Sequence, residues 1–192
     1  MTLDAHPIFE FWFGEISPEG EVDKAKQARW WKKSPDFDAL CREEFEQDLR
    51  AAARGELDHL RATPTGAVSF ILLCDQMPRN MFRDTPEAFA WDHLALQATR
   101  QLIESGDLLT LPPRVQAFAL MPLMHSEDPE VHKLSLQSFE ELKERGTDNL
   151  EYAISHKKII DRFGRYPHRN KILGRDSTEE EIEFLKGPGS SF

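Results

Sequence analysis

Apolar residues recur at helical spacing along most of this chain, and no stretch alternates as a β-strand does. The breaks in the pattern carry helix-start signals. Ser, Thr or Asp directly precedes Pro at residues 17–18, 34–35, 63–64, 85–86 and 128–129. Single glycines then close several segments, at positions 55, 106, 146 and 164. The pattern therefore predicts an all-α protein.

These start and end signals predict nine helical segments, and the segment 19–33 has the least regular pattern. They span residues 7–13, 19–33, 35–54, 64–77, 86–105, 113–121, 129–145, 148–163 and 177–186. We predict a short link at 56–61 and a loop at 165–175. Ser177 to Glu180 fits a capping box for the last helix. Residues 1–192 are expected to form a single all-α domain, with 187–192 as a loose tail.

Residues 67–74, AVSFILLC, are apolar on every side of the predicted helix 64–77. A helix that is apolar all round is buried all round, so we predict that this is the central helix of the fold. A dense polar cluster, DQMPRN, follows it at residues 75–80. Pro78 is expected to end the helix, and Asn80 to take a left-handed C-cap conformation.

The net charge of −10 argues against nucleic-acid binding and against an anionic membrane surface as partner. The two cysteines form no CxxC pair, which fits a reducing compartment, and Cys74 is expected to be an inert core thiol. No apolar run reaches the length of a membrane span, and the N-terminus does not resemble a signal peptide. These features predict a cytoplasmic protein. No glycine-rich phosphate loop is present, and we predict no cofactor.

A basic stretch at residues 156–175 stands out, because it carries a local charge of +6 while the other 172 residues carry −16. The planar guanidinium of arginine can donate two parallel hydrogen bonds to a carboxylate or a phosphate group. The acids expected nearby, Asp75, Glu127 and Asp161, are fewer than the arginines. Five candidate ligand-binding residues come from this stretch: Arg162, Arg165, His168, Arg169 and Asn170.

Two further polar clusters add candidates. Asp75 lies at the end of the central helix, Arg79 and Asn80 follow it, and all three are predicted to bind a ligand. The alternative is that Asp75 pairs with an arginine in a purely structural network. His125, Glu127 and His156 are the candidate catalytic residues, with either histidine as general base.

His156 is equally compatible with a buried core histidine, since it lies on an apolar helix face with Tyr152 and Phe163. His125 and Glu127 are expected to lie in a non-helical segment. With His156 or His168 they offer the donors of a two-His, one-carboxylate metal site. Their spacing matches no known metal motif, and we predict no metal.

Four motifs in order, FEFWFG, DQMPRNMFR, MPLMHSED and RFGRYPHRN with LGRDSTEEE, resemble a bacterial family catalogued as domain of unknown function 924. That family is grouped with tetratricopeptide-like helical proteins, and the resemblance runs from about residue 9 to residue 184. It implies an all-α, tetratricopeptide-like fold. Together with the segments above, this predicts an array or bundle of about seven to nine helices around the buried helix 64–77. It implies no reaction, substrate or catalytic residue.

Three hypotheses about function remain open. The first is a site for a small anionic ligand, phosphate or carboxylate, that supports hydrolysis or group transfer. The second is a tetratricopeptide-like module that binds a peptide or a partner protein in a groove. The third is a structural network of Arg, Asp and His without a ligand. The oligomeric state is not readable, since Trp30 and Trp31 fit either a dimer contact or the core.

Overall fold

The computed structural model describes residues 6–147 and 149–191, and within these ranges it contains helices and no strand. The α-helices are α1 (Pro7–Phe13), α2 (Lys24–Trp30), α3 (Pro35–Ala53), α4 (Pro64–Ile71), α5 (Met77–Met81), α6 (Asp92–Glu104), α7 (Pro113–His125), α8 (Pro129–Lys143), α9 (Leu150–Phe163) and α10 (Glu179–Phe184). Short 3-10 turns lie at Asp58–Ala62, Pro86–Phe89, Asp107–Thr110 and Pro167–Arg169. The all-α prediction is confirmed, and the tetratricopeptide-like arrangement stays a prediction.

The central helix is α4, continued through a π-helical turn (Leu72–Gln76) into α5. Every residue from 66 to 78 is buried, and the rod packs against α1, α3, α6 and α7. The predicted buried helix is therefore confirmed, but the prediction that Pro78 ends it is wrong. Met77 N–H donates to the carbonyl of Leu72, five residues back. This wider turn comes directly before Pro78, which has no N–H to donate, so the helix continues to Met81.

Gly66 allows the 3-10 turn Asp58–Ala62 to pack directly on α4. A Cβ at this position would lie 2.1 Å from the carbonyl oxygen of Leu60, which is backbone and cannot move aside easily. The N-cap Thr63 closes the same corner by accepting the Gly66 N–H at 3.2 Å. The lack of a side chain at Gly66 therefore allows the 3-10 turn to contact the first turn of α4.

The helix α7 extends four residues beyond its predicted end at 121. Pro122 lies inside it, and His125 is its last residue. The prediction that His125 belongs to a non-helical segment is therefore wrong. Residues 115–124 are all buried, so packing outweighs the cost of an internal proline.

Several boundaries differ from the predicted ones. The segment 86–105 divides into a 3-10 turn and α6, and the predicted helix 19–33 reduces to α2. The capping box of α10 is formed by Thr178 and Glu181, one residue later than predicted. The predicted start of the helix 148–163, Asp148, lies outside the described residues. In the described part of the tail, Ser190 is buried and its Oγ donates to the Leu185 carbonyl at 3.3 Å, whereas residues 187–189 and 191 are exposed. No helix of the described chain is long and apolar enough to cross a membrane.

Candidate functional site

A cleft of about 390 Å³ opens where the 3-10 turn Pro86–Phe89, α6, the end of α7 and the 3-10 turn Pro167–Arg169 meet. One part of its lining is apolar and the other is polar. Its lining residues are Pro86, Phe89, Ala90, Asp92, His93, Leu96, Pro122, His125, Ser126, Glu127, Arg169 and Leu173. Three residues predicted for the site therefore lie together: His125, Glu127 and Arg169.

Asp75 lies behind this cleft at the π-helical turn and is fully buried. Its Oδ1 lies 2.6 Å from Nδ1 of His125 and 3.2 Å from Nη1 of Arg79. Gln76 Nε2 donates to Oδ2 at 2.6 Å. Burial alone would raise the pKa of Asp75, but Arg79 and His125 outweigh it and hold this pKa well below its usual range. Asp75 is therefore an ionised carboxylate at neutral pH.

His125 receives its orientation from that carboxylate. Because Asp75 is ionised, Nδ1 of His125 carries the hydrogen and donates it, which leaves Nε2 with a lone pair. The side chain is one-sixth exposed and lines the cleft. Burial and then the charge of Arg79 lower the pKa of His125, against the opposing effect of Asp75. At neutral pH His125 is thus an uncharged imidazole with a defined tautomer, which is the form a general base requires.

Arg79 is fully engaged by acids on two helices. Its Nη1 and Nη2 donate to the two carboxylate oxygens of Asp92 at 2.8 and 2.9 Å, and Nη1 also donates to the carbonyl of Asp75 at 2.7 Å. Burial would lower the pKa of Arg79, but Asp75 and Asp92 raise it above its ordinary value. Arg79 therefore acts as a clamp between the central helix and α6, rather than as a free anion site.

Arg169 is placed differently. It is only 7% exposed, and its guanidinium lies between the rings of Phe89 and Tyr166, 4.5 and 4.6 Å from their centroids. Its nearest carboxylate oxygen belongs to Asp92, at 3.6 Å from Nη1, and its buried Nε has no hydrogen-bond partner among the described residues. Burial and the neighbouring Arg79 lower the pKa of Arg169. A buried cation without a close hydrogen bond lines the cleft.

Glu127 closes the other side of the cleft and is already bonded. Arg175 donates to both of its carboxylate oxygens at 2.6 and 2.9 Å, and the Tyr166 N–H donates at 2.8 Å. Burial would raise the pKa of Glu127, but these donors lower it. Glu127 therefore fixes the loop after α9 against the end of α7, and its bonds leave little scope for general base catalysis.

A cluster of aromatic and imidazole rings lies behind His125. The ring of His156 lies 6.3 Å from that of His125 and 5.8 Å from that of Tyr166. His156 Nδ1 lies 2.7 Å from the carbonyl of Tyr152 and donates to it, and the Tyr166 hydroxyl donates to the carbonyl of Met124. Burial, assisted by His125, lowers the pKa of His156 to about 3. His156 is buried, as its core interpretation expects, whereas Tyr152 on the predicted inner face is 59% exposed.

Four predicted ligand-binding residues have partners elsewhere. Arg162 Nε donates to Glu180 at 2.9 Å, and Arg165 donates to both oxygens of Glu181 at 2.7 and 2.8 Å. The expectation that acids are too few for these arginines is wrong, because it omitted the acids of α10.

The other two make structural hydrogen bonds. Asn170 is buried and bonds Ser177 and Arg175. Asn80 lies within α5 and bonds the Gln76 carbonyl, so it takes no left-handed C-cap, and the left-handed residue after that helix is Asp84 (φ 63°).

His168 lies next to Tyr166, with ring centroids 5.5 Å apart, and burial with the charge of Arg169 lowers its pKa to about 4. Among the described residues no group of three or more His, Cys, Asp or Glu is arranged to hold a metal ion. Three residues that contribute to the site were not predicted from the sequence: Asp92, Phe89 and Tyr166. In the sequence, Asp92 resembles an ordinary acidic residue in the first turn of a helix, where its charge interacts favourably with the helix dipole. No sequence signal identifies it as a partner of arginines.

Comparison with known proteins gives two matches. The model of a family described as "Bacterial protein of unknown function (DUF924)" matches residues 8–189. A solved structure, a protein of unknown function from Agrobacterium tumefaciens (ATU0120), is 34% identical and superposes with a TM-score of 0.80. That match covers 85% of this chain and 92% of the other. No curated protein matches this chain.

Proposed function

This chain belongs to the DUF924 family of bacterial proteins of unknown function, and we propose that it is a hydrolase for a small anionic substrate. The observation that carries the proposal is the Asp75–His125 pair at the edge of the cleft, beside the incompletely bonded Arg169. A neutral imidazole oriented by a carboxylate supplies a base, and a buried guanidinium supplies an anchor for negative charge.

The proposed reaction uses water as the nucleophile. Nε2 of His125 accepts a proton from water while the water oxygen bonds to the acyl carbon or phosphorus of the substrate. The resulting imidazolium is stabilised by Asp75 at 2.6 Å and then returns the proton to the leaving group, as the bond between that group and the acyl carbon or phosphorus breaks. Ser126 is a poorer choice of nucleophile, because its Oγ accepts the Asp128 N–H at 3.1 Å and has no histidine or carboxylate hydrogen-bonded to it among the described residues.

The anion anchor follows from how the charges are paired. Three carboxylates (Asp75, Asp92, Glu127) and three guanidiniums (Arg79, Arg169, Arg175) balance in number around the cleft. Asp92 directs both oxygens at Arg79, so Arg169 retains only a long contact to it. A substrate carboxylate or phosphate would supply the short, charge-assisted hydrogen bonds that Arg169 lacks.

The apolar side of the cleft adds a second requirement. Phe89, Leu96, Pro122 and Leu173 form its apolar lining, and Phe89 also contacts Arg169. A substrate that fits both sides carries an anionic group and a short apolar part. Esters or amides of small carboxylic acids and small phosphate esters belong to this class.

A ligand-binding test separates this proposal from a purely structural network. The melting temperature should rise with phosphate, sulfate or at least one small carboxylate, since a ligand at a hundred times its Kd contributes about 2.7 kcal/mol. Arg169→Met should abolish this rise and leave the free energy of unfolding without ligand within about 1 kcal/mol. A loss of about 3–5 kcal/mol in Arg169→Met would instead support the structural network. A melting temperature that no anion moves would exclude the anchor.

A catalytic test follows for the base. The rate of hydrolysis of a panel of carboxylate-bearing aryl esters, measured as phenol released, should fall about 10²- to 10⁴-fold in His125→Gln. His59→Gln is the matched control, because His59 is exposed and lies outside the cleft. Equal rates in both variants would refute the role of His125.

A further inference from the structure

A second charge anomaly lies far from the cleft in sequence, at residues 24–33, KAKQARWWKK. This basic-aromatic segment holds five cations, two tryptophans and no acid. It carries +5 in a chain of −10, so the other 182 residues together carry −15. In contrast to the stretch 156–175, the structure provides no carboxylates for it. None of its five cations forms an ion pair with the described residues.

The two tryptophans of this segment have different environments. Trp30 is half-buried at the end of α2, and its Nε1 donates to the carbonyl of Trp12 at 3.1 Å. Trp31 is 69% exposed and lies flat over the ring of Phe118, with ring centroids 6.0 Å apart and an interplanar angle of 12°. Phe118 thus holds an indole ring at the surface. This exposed ring has no role in the core or in the cleft.

Several exposed cations lie close to Trp31 in sequence. Lys32 and Lys33 follow it directly, and both are exposed, as are Lys24 and Arg29 in α2. Arg114 is exposed on α7, four residues before Phe118 and therefore on the same helix face. The surface thus combines one large exposed aromatic ring with cations that have no carboxylate partner among the described residues, although Lys26 and Arg29 lie over the rings of Phe11 and Phe37.

We propose that the basic-aromatic segment, together with Arg114, binds the protein peripherally to a membrane surface that carries anionic phospholipid headgroups. Indole rings favour the interface between headgroups and acyl chains, and lysines place their ammonium groups among lipid phosphates while their stems lie on apolar surface. Each basic residue near such a surface contributes about fivefold in affinity. The acidic remainder does not cancel this attraction, because charges farther than about 8–10 Å from the membrane are screened.

Two other partners fit these observations less well. Four of the five cations are lysines, and lysine is depleted in protein–protein interfaces, whereas arginine is enriched. Single-stranded nucleic acid stacks successive bases on several aromatic rings, and only Trp31 is fully available here. An extended polyanion would also meet the −15 of the remaining chain. The whole-chain charge predicted no membrane partner, and the local distribution of charge supports the opposite inference.

Vesicle sedimentation tests the proposal on the full chain. The protein should sediment with vesicles made of equal parts phosphatidylcholine and phosphatidylglycerol, should remain in solution with phosphatidylcholine alone, and should dissociate at high salt. Lys32→Glu/Lys33→Glu should weaken binding by about 25-fold or more, since two cations are lost. Trp31→Ala should also weaken binding and blunt the blue shift of tryptophan fluorescence on vesicles. Circular dichroism checks that each variant is folded.

The matched control is Lys158→Glu/Lys171→Glu, which changes the net charge equally at two exposed lysines outside the segment. Its vesicle binding should equal that of the wild type. Equal weakening in both double variants would show that net charge alone matters and would overturn the proposal. Absence of binding to the anionic vesicles would also overturn it, and so would tighter binding of poly(U) than of vesicles at the same salt.

Discussion

Buried His156 should make the stability of this protein fall steeply below neutral pH. The residue is 6% exposed, and its Nδ1 donates to the Tyr152 carbonyl inside α9. Protonation would place an uncompensated charge near His125 and Arg169, which is why burial and these neighbours lower its pKa to about 3 from an ordinary value of 6.5. The unfolded chain retains the ordinary value.

The direction and size of the effect follow from this difference. Above about pH 6.5 both states hold a neutral imidazole, and the stability from His156 is complete. As the pH falls below 6.5, His156 becomes protonated in the unfolded state but stays neutral in the folded state. Stability is therefore lost until the pH reaches about 3, where the folded state also binds the proton. At about pH 5 the free energy of unfolding is therefore lower by about 2 kcal/mol than at neutral pH, since each pH unit below 6.5 stabilises the unfolded state by about 1.4 kcal/mol.

Urea unfolding followed by tryptophan fluorescence at about pH 7 and about pH 5 measures this loss. His156→Gln should reduce the loss by about 2 kcal/mol relative to the wild type, whatever its stability at neutral pH. The remaining histidines with lowered pKa values keep their contributions in both proteins. His59→Gln, at an exposed site, is the control and should match the wild type. If the wild type and His156→Gln lose equal free energy between the two pH values, the argument fails.

Three further substitutions probe the fold around the cleft. Gly66→Ala should cost about 1–3 kcal/mol in urea unfolding, because its Cβ would overlap the Leu60 carbonyl. Asp75→Asn should cost about 3–5 kcal/mol in the same measurement, because it removes a buried charge partner of Arg79; a cost below about 1 kcal/mol would contradict that pairing. Glu181→Ala should lower the melting temperature by removing the capping box of α10, worth about 1 kcal/mol.

The helices could be predicted from the sequence because their signals are local. Proline after a capping residue set the start of α3, α4 and α8, as the structure confirms. The failures occurred where packing overrides local preference. Pro78 follows a π-helical turn and Pro122 lies in a buried segment of α7, and neither ends its helix. Such cases cannot be read from propensity, because the compensating contacts come from other helices.

The candidate site was only partly predictable for a related reason. His125, Glu127 and Arg169 were found as unusual polar residues, and Asp75 as an acid at the end of a buried helix. The pairing Asp75–His125 spans 50 residues of sequence and could not be chosen over an arginine partner from the sequence. Asp92 was missed because a carboxylate in the first turn of a helix is common.

Charge anomalies in a sequence acquire meaning only when the structure supplies or withholds their partners. The stretch 156–175 attracted attention with +6, yet Glu180, Glu181, Glu127 and Asp161 pair with most of its cations, and Arg169 is left with only a long contact. The segment 24–33 has a smaller excess, but every one of its cations is without an ion pair in the described chain. The size of a local charge therefore predicts binding less well than the number of its charges that folding leaves unpaired, because paired charges have little attraction left for a ligand.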